Sequence, residues 1–138
     1  MTITRADIHV IALPLKFRFE TSFGVQTDRL VPLLVLTDDS GVTGVSEGVM
    51  DGDWPLYREE HVAGALPLVQ RMLEQYVVGK PFTTPRELAS RFAHLRGNRM
   101  AKAMIEMAGW DLYGRRLGVP LRDLLGGSGD AVATGVSL

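Results

Sequence analysis

At 138 residues the chain is long enough for one cooperative domain, since a chain of this size buries roughly two thirds of the surface that it exposes when unfolded. Fifteen Lys and Arg residues against sixteen Asp and Glu residues leave a formal charge of -1, so no overall field attracts nucleic acid or an anionic membrane. Cysteine is absent, which excludes disulfides and Cys-ligated zinc, and no apolar run near the N-terminus resembles a targeting signal; we therefore expect a cytoplasmic protein.

The first third of the chain predicts strands. Residues Ile3 to Leu13 alternate apolar and polar positions with a period close to two, and Pro14 is expected to end that strand because proline cannot donate to a central ladder. The alternation of charged and aromatic residues over Lys16–Glu20 predicts a further extended segment, and a loop is expected to begin near Thr21. The apolar run from Leu30 to Thr37, followed by the acidic, glycine-containing turn at 38–41 and a series of valines, predicts a hairpin.

Helical patterns follow. Apolar residues recur at three-to-four spacing between Glu59 and Val78, with a kink or a break expected at Pro67. The sequence Thr-Pro-Arg-Glu at 84–87 is typical of a helix start, because a hydroxyl, an early proline and a glutamate can satisfy its free backbone donors, and this helix is expected to reach about Leu95.

A third helix is the clearest, beginning after Asn98 as its cap and ending near Gly118, with Pro120 just beyond. Its buried face is expected to contain three methionines, Met100, Met104 and Met107. A helical turn at Leu121–Leu125, a glycine-rich break and a last strand at Val132–Leu138 complete the chain. Because strands and helices are segregated, the fold class is predicted to be α+β, a three-stranded antiparallel meander followed by a helical bundle.

Few side chains suggest chemistry on their own. Glu59, Glu60 and His61 are consecutive, so on a helix they face different directions and are interpreted as a solvated helix start. The acidic residues of the loops are interpreted as turn formers, because aspartate accepts hydrogen bonds from nearby backbone; they are Asp38, Asp39, Asp51 and Asp53.

Large apolar residues in two loops are less usual. Phe23 lies in a Thr-Ser-Phe-Gly segment, and Met50, Trp54 and Tyr57 lie in a segment rich in Gly, Asp and Pro. Such residues can cover an apolar ligand. The alternative, which spacing leaves open, is that the loops fold back onto their own domain.

Three stretches carry a family resemblance. They read Leu-Lys-Phe-Arg-Phe-Glu-Thr-Ser-Phe-Gly at 15–24, Gly-Asn-Arg-Met-Ala-Lys-Ala at 97–103 with Glu-Met-Ala at 106–108, and Gly-Val-Pro-Leu at 118–121 leading to Leu-Leu-Gly-Gly at 124–127. Together they resemble the muconate-lactonizing branch of the enolase superfamily. The first two, with Gly-Val-Ser-Leu at 135–138, are most similar to N-acylamino acid racemases that also act as o-succinylbenzoate synthases.

The resemblance implies an enolase N-terminal-like cap over the mouth of a (β/α) barrel. Residues 1–127 would form this capping domain, and residues 128–138 would form the linker and first strand of a truncated barrel. The loops Thr21–Gln26 and Val49–Tyr57 would close over the substrate. The implied pocket-lining residues are Phe23, Met50, Tyr57 and Ser137.

The implied reaction removes the proton alpha to a carboxylate, using lysine bases and a divalent metal, Mg or alternatively Mn or Co. The substrate would be an N-acylamino acid or the o-succinylbenzoate precursor, and the partners would be the missing barrel domain and further copies in a homo-oligomer. The family's lysines and metal ligands would lie beyond Leu138, so this chain alone is expected to bind no metal and to be inactive. Two alternatives remain: the cap of a dipeptide epimerase or muconate cycloisomerase, or a stand-alone binding or interaction domain.

Overall fold

A computed structural model of the protein describes residues 1–22, 24–52, 57–129 and 131–136. The described strands form one antiparallel sheet in the order β1-β2-β3. They are β1 at Ile3–Thr21, β2 at Gly24–Asp38 and β3 at Thr43–Glu47. Helices follow the strands along the chain, so the predicted α+β class and three-stranded meander are confirmed.

Strand β1 joins the two extended segments that were predicted on either side of Pro14. Strand β1 does not end at Pro14, which pairs with Asp28, and it continues to Thr21, which pairs with Gly24. Proline is tolerated because β1 is an edge strand, where a missing N–H removes no bond to a second neighbour. The loop predicted at Thr21–Gln26 is therefore mostly strand, since all its described residues except Ser22 belong to β1 or β2.

Four α-helices lie in the described part of the chain. Helix α1 spans Val62–Met72 with Pro67 inside it, and a π-helical turn continues it over Leu73–Val77. Helix α2 spans Pro85–Arg91, shorter than the predicted end at Leu95. Helix α3 spans Arg99–Leu117, and α4 spans Leu121–Leu124. None of the described helices is both long enough and apolar enough to cross a membrane.

Helix α3 lies directly on the sheet. A Cβ atom added to Gly44 of β3 would lie 2.4 Å from the Ala108 carbonyl oxygen and from the Leu112 backbone nitrogen, so only glycine allows this approach. Two residues further along the same strand, Ser46 Oγ donates a hydrogen bond of 2.5 Å to the Met104 carbonyl. The core between sheet and helices is apolar and includes Ile3, Leu34, Leu36, Val69, Leu88, Phe92, Ile105 and Leu112.

The predicted methionine face of α3 is only partly correct. Met104 is fully buried and Met100 is half-buried, but Met107 is 42% exposed. The buried face is centred on Ala101, Met104, Ala108 and Leu112. At 3.6 residues per turn Met107 points roughly 100° away from that centre, which explains its exposure.

The C-terminal residues carry no regular structure over their described part. Residues 131–136 form neither helix nor strand and are exposed, so the strand predicted at Val132–Leu138 is not present there. A strand requires a hydrogen-bonded neighbour, and none of the described strands pairs with this segment. That residues 128–138 form the start of a barrel, with a domain boundary after residue 127, stays a prediction.

Candidate functional site

The four residues predicted to line a pocket differ in what the structure describes. Phe23 and Ser137 lie outside the described residues, as does Trp54. Met50 is 4% exposed and belongs to the hydrophobic core. Tyr57 is 77% exposed.

Met50 packs within its own domain. A Cβ atom on Gly48 would lie 3.4 Å from Met50 Cε and 3.0 Å from Met104 Sδ, so the two methionines share the space left by that glycine. This burial favours, for the Met50 side chain, the alternative in which the loop residue folds back onto the domain. Its contact with a substrate stays a prediction.

Asp51 fixes the chain that returns toward α1. Its Oδ2 accepts hydrogen bonds of 2.9 Å from the backbone N–H groups of Tyr57 and Arg58, and its Oδ1 accepts one of 2.8 Å from the Arg58 guanidinium. Burial raises the pKa of Asp51, but the hydrogen bonds from Arg58 and Tyr57 outweigh it, and the pKa is lowered. The carboxylate therefore stays ionised and acts as a local template, as predicted for a turn-forming aspartate.

Glu60 was predicted to lie on a solvated helix start, and that interpretation is wrong for this residue. It is buried, and its two carboxylate oxygens accept the N–H groups of Met100 at 2.7 Å and Ala101 at 3.0 Å. These are free donors at the N-terminus of α3, so a carboxylate there both caps the helix and complements its dipole. The neighbouring Glu59 is exposed.

Asn98 occupies the predicted cap position of α3 but does not cap with its side chain. Its backbone is left-handed, with φ of 52°, and its Nδ2 donates to the Arg96 carbonyl instead. The cap comes from Glu60, which is remote in sequence. No spacing rule joins residues about 40 positions apart, which is why the sequence pattern did not reveal it.

Backbone hydrogen bonds join the chain at Asp51 to the chain at 60–62. The Asp51 N–H donates to the Glu60 carbonyl at 3.0 Å, and the Val62 N–H donates to the Asp51 carbonyl at 2.9 Å. We call the described residues Met50–Gly52 and Tyr57–Glu60 the anchored segment. Met50 and Tyr57 therefore belong to one segment that Asp51 holds together by its hydrogen bonds. Glu60, at the end of this segment, links it to the start of α3.

A second aspartate centre lies at the other end of α3. Asp38 Oδ1 accepts the N–H of Ser40 at 2.9 Å, the Ser40 hydroxyl at 2.7 Å and the N–H of Val42 at 3.0 Å. Its Oδ2 accepts Arg116 of α3, which also donates to Asp39 at 2.8 Å. Burial opposes ionisation of Asp38, yet these bonds lower its pKa to about 2. We call this group the Asp38 turn.

The described residues do not fit a divalent metal site. No three His, Asp or Glu side chains among them come close enough to hold an ion. The most buried carboxylates, Asp38, Asp51 and Glu60, are occupied by N–H donors or arginine. His94 lies beside Tyr76, with ring centroids 5.6 Å apart and Nε2 3.3 Å from the Tyr76 hydroxyl, and has no carboxylate among its described partners. No chemical step is therefore assigned to a metal held by these residues.

Comparison with known proteins places this fold among capping domains. The family model described as "Mandelate racemase / muconate lactonizing enzyme, N-terminal domain" matches residues 1–126. An N-succinylamino acid racemase of Thermus thermophilus is 50% identical over 138 residues, all of this chain and 37% of that protein. An o-succinylbenzoate synthase of Geobacillus kaustophilus is 41% identical over 93% of this chain and 34% of its own length. The chain thus spans about a third of these relatives.

Solved structures agree. An enolase-superfamily member from Listeria innocua superimposes with a TM-score of 0.85 at 27% identity, covering 91% of this chain and 34% of that one. A substrate-liganded L-Ala-D/L-Glu epimerase from Bacillus subtilis gives a TM-score of 0.80 at 27% identity, covering 92% of this chain and 35% of that one. The same fold therefore occurs both in this enolase-superfamily member and in a dipeptide epimerase.

Proposed function

Because the chain belongs to the N-terminal domain family of mandelate racemase and muconate lactonizing enzymes, we propose that it is the capping and specificity domain of an N-acylamino acid racemase that also acts as an o-succinylbenzoate synthase. The observation that carries the proposal is the 50% identity, along the whole chain, to an N-succinylamino acid racemase. The similarity to o-succinylbenzoate synthases supports the second activity. Both reactions would begin by removing a proton alpha to a carboxylate.

In this proposal the chemistry is divided between two domains. A barrel domain in the longer parent protein would carry the lysine bases and the ligands of a divalent metal, which supplies charge stabilisation for the enediolate when it is bound. This chain would orient the acyl part of the substrate and exclude water. Its buried carboxylates, Asp38, Asp51 and Glu60, already have backbone or arginine partners, which supports a positioning role over an acid–base role.

The proposed substrate contacts are made by residues of unequal exposure. A substrate contact by Tyr57 is supported by the exposure of its side chain and by the hydrogen bond that fixes its backbone to Asp51. Met50 is buried and would act by shaping the protein surface against which the substrate binds. Phe23 and Ser137 are proposed from the family resemblance alone, as are a homo-oligomeric state of the parent and its cytoplasmic location.

The parent protein tests this function directly. We expect the purified full-length protein with Mg²⁺ to racemise N-succinylamino acids and to incorporate solvent deuterium at the alpha carbon, as followed by chiral chromatography and NMR. It should also dehydrate the o-succinylbenzoate precursor. Activity confined to dipeptides or to muconate would instead identify one of the other branch members, and absence of all these activities would favour a non-catalytic binding domain.

The isolated 138-residue chain is the matched control. Because its described residues contain no metal-ligand cluster, we expect no deuterium at the alpha carbon when Mg²⁺ and an N-acylamino acid are added. Incorporation that persists after full-length contaminant is excluded by mass spectrometry would contradict the division of labour proposed here.

A further inference from the structure

Asp51 follows Met50 directly in the chain and holds the backbone of Tyr57 through its side chain, so it links the two described residues of the proposed pocket. Its own position is fixed on both sides, since its N–H and C=O are bonded to Glu60 and Val62. Immediately before it, Met50 is held in the core. The aspartate is therefore a rigid point from which other groups can be positioned.

Asp51 holds one half-buried and one exposed residue. Its Oδ2 binds the backbone of Tyr57 and Arg58, and its Oδ1 binds the Arg58 guanidinium, whose side chain is 26% exposed. The Tyr57 side chain, which extends from this hydrogen-bonded backbone, is 77% exposed. Burial of the tyrosine itself contributes little to folding, so the bond from Asp51 to its backbone has a second consequence beside ordering the turn, which is the placement of an exposed aromatic ring.

We propose that Asp51 is a positioning residue for substrate specificity, which sets acyl-group preference by fixing the backbone from which the exposed Tyr57 side chain extends. The inference rests on the proposed function, because it takes the substrate to be an N-acylamino acid bound beside the anchored segment. Asp51 does not touch the reacting atoms. It acts through the backbone of Tyr57, and the ion pair with Arg58 keeps the carboxylate in its orientation.

A purely structural role is the competing explanation, and Asp38 provides a matched control for it. Asp38 also accepts two backbone N–H groups and one arginine, and it is also buried. What it orders is the turn between β2 and β3 and the C-terminal end of α3, outside the proposed pocket. Asp38→Asn should therefore reproduce the loss of folding contacts without the loss of positioning.

The substitution Asp51→Asn is the informative change. An asparagine can present its oxygen to the Tyr57 and Arg58 N–H groups or to the guanidinium, but its NH₂ group must then face a donor. Asp51→Ala removes all acceptors, and Asp51→Asn gives a second, milder variant if the alanine protein does not fold.

The first arm of the test measures amide hydrogen exchange in the full-length protein. We expect the N–H groups of Tyr57 and Arg58 to exchange at least about tenfold faster in Asp51→Asn than in the wild type, and to be unchanged in Asp38→Asn. Unchanged exchange in Asp51→Asn would overturn the positioning role, whatever the protein's activity.

The second arm measures kcat and KM for N-succinyl and N-acetyl forms of one amino acid. We expect the ratio of the two kcat/KM values to change at least fivefold in Asp51→Asn, mainly through KM, and to stay within twofold in Asp38→Asn. Faster exchange with an unchanged ratio would overturn the specificity role. A wild-type parent inactive on both substrates would overturn the proposed function and this specificity role with it, while the exchange arm would still decide whether Asp51 orders Tyr57.

Discussion

An aspartate that accepts two backbone N–H groups and an arginine lies near each end of α3, and the two aspartates order different parts of the chain. At its C-terminal end Arg116 reaches back to Asp38 and Asp39, where an aspartate accepts two backbone N–H groups and an arginine. At its N-terminal end Glu60 caps the helix, and Asp51 accepts two backbone N–H groups and an arginine. The first arrangement closes a hairpin turn of the sheet. The second orders an exposed tyrosine, so similar local contacts can serve folding in one place and placement of a surface side chain in another.

Gly44→Ala should have the largest effect, because it disturbs the seat of α3 on which both ends depend. The added Cβ would lie 2.4 Å from backbone atoms of Ala108 and Leu112, which cannot move aside as a flexible side chain could. We expect a loss of about 3 kcal/mol of unfolding free energy, at the upper end for overpacking, measured by urea denaturation. Gly135→Ala, where a Cβ meets nothing within 4 Å, is the control and should stay within about 0.5 kcal/mol. Equal stability of the two variants would show that α3 does not pack on β3 this closely.

Glu60→Ala should rank second and should affect the N-terminal end of α3 alone. It leaves the N–H groups of Met100 and Ala101 without their carboxylate in a buried setting, which should cost about 2 kcal/mol in unfolding free energy. The adjacent Glu59→Ala, on an exposed side chain, should cost less than about 0.5 kcal/mol. A small, equal effect of both substitutions would return Glu60 to the solvated role that its sequence position suggested.

Contacts that are local in sequence were predictable, and remote ones were not. The order of strands and helices followed from periodicity, and the turn roles of Asp38 and Asp51 from the tendency of aspartate to bind nearby N–H groups. The cap of α3 was assigned to Asn98 because helix-start patterns are read from adjacent residues. The residue that performs it, Glu60, and the arginine that completes the Asp38 turn, Arg116, come from distant parts of the chain.

Met50 and Pro14 also show that remote contacts were not predictable from the local sequence. Met50 was identified as an apolar residue in a loop, but its burial depends on Gly48 and on Met104 of α3, which the loop sequence does not contain. Pro14 was expected to end its strand, and it does not, because only the finished topology makes β1 an edge. Sequence pattern thus located the segments, while tertiary packing decided which side chains stay accessible.

The stability that Asp38 contributes should depend on pH and be lost in acid. The pKa of Asp38 is lowered from 3.8 to about 2, since the bonds from Ser40, Arg116 and Val42 outweigh the burial that opposes ionisation. Because the folded pKa is below the unfolded one, the stabilisation is complete above pH 3.8 and is lost as pH falls through about 2. Asp38→Asn should therefore be less stable than the wild type by about 1 kcal/mol at pH 5, with the difference shrinking toward pH 2. Urea titrations at both pH values measure it, and a difference independent of pH would show that the carboxylate charge is not responsible.

Tyr57→Ala should have the smallest effect on stability. It tests whether the tyrosine that Asp51 orders contacts the substrate. Tyr57 is 77% exposed, so little apolar contact is lost and the unfolding free energy should change by less than about 0.5 kcal/mol. Leu117→Ala, at the opposite end of α3 and 50% exposed, is the matched control and should be similarly mild. In the parent enzyme only the tyrosine variant should raise KM for N-succinylamino acids, by about three- to tenfold, because the backbone held by Asp51 would no longer present an aromatic ring to the acyl group. Parallel kinetics for the two variants would mean that Asp51 orders a surface tyrosine without consequence for the substrate, and the two aspartate centres would then differ in location alone.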